Sequence, residues 1–84
     1  MKWTVTYQPK AADELAAIWL TAANRQVITD AANLIDRQLG QDPLNAGESR
    51  GGISRVVCEA PLAVFFDVDE QDRVVSVWGL VHHQ

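Results

Sequence analysis

ISRVVCEAPLAVFFDVDEQDRVVSVWGLV, residues 53–81, carries the reading that decides the fold. Three β-rich runs are separated by two turn signals. Ile53 to Glu59 is the first run, and Ala60-Pro61 is a short break. Leu62 to Val68 is the second and the most hydrophobic. Asp69-Glu70-Gln71-Asp72 is an acidic turn, and Arg73 to Val81 is the third run. Val and Phe favour a pleated, half-buried surface, and links this short join antiparallel neighbours. The segment therefore predicts a three-stranded meander whose apolar face needs a cover. Cys58 falls within the first apolar run, which predicts a buried thiol.

The cover is encoded upstream. Leu15, Ile18, Trp19 and Ala22 recur at i, i+3, i+4 and i+7, an apolar stripe on a helix from about Lys10 to Ala23. Pro9 suits its first turn, where the missing N–H costs nothing. Asn24 is a candidate N-cap for a second helix, which continues through Val27, Ile28, Ala31, Leu34, Ile35 and Leu39. Gly40 is the expected stop. Gln41 to Gly52, punctuated by Asp42-Pro43, Gly47 and Gly51-Gly52, reads as a loop. Before the helices, Trp3-Thr-Val-Thr-Tyr7 alternates with period two and reads as a half-buried strand. The fold class is α+β, in the order β-α-α-β-β-β. A helical hairpin packs on a small, mainly antiparallel sheet, within one domain spanning residues 1–84.

Composition narrows the function classes. Eighty-four residues support one modest core, and an apolar fraction of 48% argues against disorder. No run approaches the roughly 20 apolar residues that cross a bilayer. The N-terminus lacks the apolar region of a signal peptide, and one cysteine cannot form an internal disulfide, so a cytoplasmic setting is expected. Seven Lys and Arg face eleven Asp and Glu, a net charge of −4. That balance weighs against a free-standing nucleic-acid binder, since neutralising phosphates supplies most non-specific affinity.

The element order, together with a series of fragments, resembles the RelE/ParE toxin superfamily, including its plasmid-stabilisation members. The fragments are Asp13-Glu14-Leu15 with Ile18-Trp19, Ile35-Asp36, Asp42-Pro43, Gly47-Glu48-Ser49-Arg50, Arg55, Pro61-Leu62 and Asp72-Arg73-Val74-Val75-Ser76-Val77. They span nearly the whole chain. The resemblance implies the toxin of a type II toxin–antitoxin pair, held silent by a cognate antitoxin. RelE-like members cut messenger RNA in the ribosomal A site. ParE-like members inhibit DNA gyrase.

For RelE-type cleavage a protein must orient the RNA 2′-hydroxyl, stabilise phosphate charge and move protons. Arg50 and Arg55 are the candidate phosphate binders, because a guanidinium fork pairs with phosphate oxygens. Glu48 is a candidate general base. His83 is a candidate proton carrier, since some RelE-like toxins end their last strand with a histidine beside a tyrosine; here the ending is Val81-His82-His83-Gln84, without tyrosine. The competing structural reading has Arg50 paired with Glu48 or Asp42, Arg55 paired with an acidic neighbour across the sheet, and Glu48 organising its loop. Trp3, Trp19 and Trp78 read as core or antitoxin-interface residues. No cofactor or metal is expected.

Three functions follow as expectations. The first is a ribosome-dependent messenger RNA endonuclease. The others are a gyrase inhibitor and a non-toxic protein-binding relative. The last two need no basic catalytic cluster.

Overall fold

The computed structural model describes residues 2–82. The elements are β1 (Thr4–Tyr7), α1 (Pro9–Thr21), α2 (Arg25–Gln41), β2 (Glu48–Ser49), β3 (Ser54–Glu59), β4 (Leu62–Asp69) and β5 (Val74–His82). The meander read from residues 53–81 is present, and it forms the centre of a five-stranded sheet in the order β1-β5-β4-β3-β2. β1 joins β5 in parallel, with Thr4 opposite Val74 and Tyr7 opposite Val77; the other pairings are antiparallel.

Both helices lie on one face of the sheet. Ala11, Ile28, Ala31, Ile35 and Leu39 from the helices meet Val57, Leu62, Val64, Phe66, Val68, Val75, Val77 and Leu80 from the strands, all buried. Trp3, just before β1, and Val5 and Tyr7 of β1 pack against the same cluster. Period-two alternation sends the intervening residues of β3, β4 and β5 to the opposite face, which no helix covers.

Local chemistry explains the helix ends. Pro9 stands at the first position of α1. α1 stops at Thr21, two residues earlier than the periodicity suggests. The Thr21 hydroxyl donates back to the Ala17 carbonyl at 2.9 Å, and Ala22 is already extended. Such back-bonding competes with continued helix. Asn24 is the N-cap of α2, its Oδ1 accepting from the Gln26 and Val27 N–H groups at 3.1 and 3.3 Å.

Gly40 does not end α2. The helix continues through Gln41, and Asp42 is the C-cap. Pro43 is the cause, because the residue before a proline is pushed out of the α region. Gly40 serves β1 instead, its carbonyl accepting the Trp3 N–H at 2.9 Å.

Two further expectations are corrected. The segment 41–52 is not all loop: Glu48–Ser49 pairs with Val56 and Arg55 as a two-residue edge strand. Cys58 is exposed. It faces away from the core, being out of phase with buried Val57, and β2 is too short to cover the edge beside it. A run with apolar residues at both parities does not announce which parity faces inward.

Candidate functional site

Three of the expected site residues, Glu48, Arg50 and Arg55, follow closely on Gly47, where the chain crosses over β3. Gly47 has φ +68°, and a Cβ there would lie 1.9 Å from the Val56 carbonyl oxygen. Only glycine fits so near a backbone. From that crossing, β2 runs antiparallel to β3 with Glu48 opposite Val56 and Ser49 opposite Arg55.

This register separates the candidates. Directly opposed residues share a face. Val57 is in the core and Val56 is outside that cluster, so Glu48 lies with Val56 on the helix-free face and Arg55 lies on the other. The Arg55 guanidinium folds onto the backbone of the preceding loop, with Nε donating to the Ala46 carbonyl at 3.3 Å and one terminal nitrogen to the Gly47 carbonyl at 3.2 Å. Its partners are carbonyls rather than the acidic neighbour expected across the sheet. Arg50 is exposed, and its backbone N–H donates to the Ser54 carbonyl at 2.8 Å.

His83 lies outside the described residues. His82 ends β5 opposite Leu62, and it borders a hollow with Asn24, Val27 and Pro61 at the turn between the helices. Arg55 pairs with Phe66, four residues along β4 from Leu62. Strand rise and spacing then put His82 about 13 Å along and about 10 Å across the sheet from Arg55. The described residues do not bring the arginines and this histidine into one cluster.

Other cations are also tied into the fold. Arg25 stacks over the Trp19 ring at 4.7 Å and donates to the Trp19 and Leu20 carbonyls. Arg73 stacks over Trp3 at 4.8 Å, at a left-handed φ of 54°.

Two surfaces stand open. One is an apolar groove of about 640 Å³ between α1 and α2, lined by Leu15, Trp19, Leu20, Ile28 and Ala32, with Tyr7 and Asp36 also on its wall. Trp19 is 41% and Leu20 61% exposed there, so the apolar stripe of α1 is only partly consumed by the core. The Tyr7 hydroxyl donates to Asp36 Oδ1. Burial, then this carboxylate, push the Tyr7 phenol far above its ordinary range.

The other surface is the helix-free face of the sheet. Its centre is Asp67 on β4, whose Oδ1 accepts from the Ser54 hydroxyl at 2.7 Å and from Trp78 Nε1 at 3.1 Å. Phe65 and Trp78 stack beside it with centroids 5.2 Å apart. A bulge makes this possible: Phe66 pairs with Val77 and Phe65 with Gly79, leaving Trp78 as the extra residue. Bulges re-aim side chains, and here the indole N–H points at the carboxylate. Sequence reading passed over Asp67, although a carboxylate within Leu62-Ala-Val-Phe-Phe-Asp67-Val is an anomaly in the most apolar strand. Tyr7 with Asp36 was also missed, since only folding brings residues 29 positions apart together.

No family model matches the chain, and no curated protein matches it in sequence. Solved structures do match in shape. A chain of the toxin–antitoxin complex RelBE2 from Mycobacterium tuberculosis superposes with a TM-score of 0.81 at 13% identity, covering 99% of this chain and 93% of that one. The chromosomal ParDE system of P. aeruginosa gives 0.72 at 16% identity, covering 99% and 98%. The isolated RelE toxin of E. coli gives 0.71 at 14% identity, covering 98% and 85%. These likenesses run nearly end to end and agree with the observed strand order and helix placement, so the chain has the RelE/ParE toxin fold.

Proposed function

We propose that the chain is the toxin half of a toxin–antitoxin pair, and that it acts by binding a protein target, with DNA gyrase the first candidate, rather than by cutting RNA. The observation that carries this choice is the use of Arg55 to hold the Ala46 and Gly47 carbonyls. A phosphate binder there would have to give up that bracing of the loop. The helix-free face presents Glu48 and Asp67 where an RNA backbone would need cations. A net charge of −4 supports the same reading.

The groove between α1 and α2 suits the antitoxin. Its exposed Trp19 and Leu20 match an amphipathic helix laid into an apolar channel, one of the common modes of peptide recognition.

Supercoiling by purified gyrase, measured with and without the folded, antitoxin-free chain, tests the target. The expected result is inhibition that rises with the chain's concentration. Undiminished supercoiling at a large excess contradicts it.

Ribosome-dependent messenger RNA cleavage is the second reading. It is favoured by the TM-score of 0.81 to a chain of the RelBE2 complex, and by Glu48 and Arg50 lying exposed in one short segment. Under that reading Arg50 meets the phosphate, Glu48 takes a proton, Arg55 supports their loop, and His83 donates from the tail.

A further inference from the structure

The helix-free face departs from an inert sheet surface in three ways. Asp67 is a carboxylate on the central strand, fixed by one donor from each neighbouring strand. Both bonds fall on Oδ1, and Oδ2 has no hydrogen-bond partner among the described residues. The aromatic pair Phe65–Trp78 stands beside it, with Trp78 36% exposed. Nor do the five strands supply a cation to this face, because their basic residues, Arg55 and His82, are on the other, opposite Phe66 and Leu62 of the core.

We propose that this face docks a protein segment presenting an arginine, whose guanidinium lies against the Phe65–Trp78 pair and bonds Asp67 Oδ2. The groups are complementary to that side chain in shape and charge. A guanidinium is planar, stacks on aromatic faces and pairs with carboxylates through directed N–H groups. Holding Asp67 through Oδ1 fixes the carboxylate before the partner arrives, so less ordering is required on binding. Exposed Val81, and Val74 on the same side, extend an apolar margin around the charge, as in interfaces where a desolvated anchor is ringed by neutral contacts. The same groups disfavour RNA: the rings could stack on bases, but Asp67 and Glu48 repel the phosphates that follow.

The inference rests on the protein-binding reading only for the identity of the partner. Its test is an NMR titration of the isotope-labelled full chain, following the Trp78 indole N–H. The probes are the peptide acetyl-Thr-Arg-Val-Arg-Thr-amide, the same peptide with glutamine for both arginines, and a hexauridylate. The arginine peptide is expected to give saturable shifts at Trp78, Phe65 and Ser54, and the glutamine peptide none. Asp67→Asn, which keeps an oxygen acceptor for Ser54 and Trp78, should weaken binding about tenfold. Ser76→Arg places a guanidinium opposite Asp67 and should abolish binding in a chain that keeps its spectrum.

Equal binding of the two peptides, no saturable shift, shifts confined to the helical groove, or preferential binding of hexauridylate would each overturn the proposal. Growth arrest on expression separates it from the toxin reading. A chain that arrests growth yet ignores the arginine peptide loses this surface but remains a toxin. One that binds the peptide without arresting growth keeps the surface and loses the role.

Discussion

Arg55 donates to the carbonyl of Gly47 at 3.2 Å, and Gly47 itself crosses directly over the backbone of Val56. The pair locks the loop after α2 to the edge of the sheet. Arg55→Ala should therefore cost about 1–2 kcal/mol of stability, the range for hydrogen bonds to a charged group that keeps some solvent contact. Arg55→Lys should recover only part of it, because an ammonium lacks the guanidinium's fixed fork. Urea denaturation of the two variants beside the parent checks the order.

Gly47→Ala should be the more damaging change. The added Cβ would meet the Val56 oxygen at 1.9 Å, at a φ of +68° that an L side chain rarely adopts. Backbone must move, so a loss of at least about 2 kcal/mol is expected. Gly51→Ala is the matched control. Its φ is also positive, at +103°, but nothing lies within 4 Å of the added atom. Thermal melts should rank Gly47→Ala well below Gly51→Ala; equal melting would contradict the close crossing over Val56.

Tyr7 is the single tyrosine of the chain, so its ionisation can be followed by ultraviolet absorbance alone. Burial and then the hydrogen bond to Asp36 raise its folded pKa far above the usual 10.0. The unfolded chain therefore releases this proton first as pH rises. The stabilisation is fully present below about pH 10 and is lost progressively above it. The folded protein should show no tyrosinate absorbance near pH 10.5, and base should produce that absorbance together with unfolding. Tyr7→Phe should flatten the alkaline fall in stability. A phenol titrating near pH 10 in a chain that stays folded would refute the Tyr7–Asp36 contact.

Asn24 satisfies two of the free N–H groups at the start of α2. Asn24→Ala should cost about 1 kcal/mol, and Asn24→Asp should be nearly neutral. Chemical denaturation distinguishes the two.

Much of this fold was legible because its signals are local. Asn24, Pro9 and the alternation of Trp3 to Tyr7 each act through neighbours a few residues away. The edge strand Glu48–Ser49 was not legible, since two residues carry no period; it exists because Gly47 permits the crossing that brings it to β3. The exposure of Cys58 depends on the phase of β3 and on how far β2 extends, neither of which is written in Val56-Val57-Cys58. The candidate site was legible as residue types only. Glu48, Arg50 and Arg55 are close in sequence, but the register of β2 on β3 puts Glu48 and Arg55 on opposite faces. His83 lies outside the described residues. The Asp67, Ser54 and Trp78 arrangement needed three strands and a bulge to assemble.

We propose a toxin of RelE/ParE fold that acts without cutting RNA. The decisive measurement is primer extension across abundant messenger RNAs, in cells arrested by expression of the chain without an antitoxin. Arrested growth with 5′ ends identical to those of uninduced cells is expected. New 5′ ends within translated codons, lost when Arg50 or Glu48 is replaced, would contradict it.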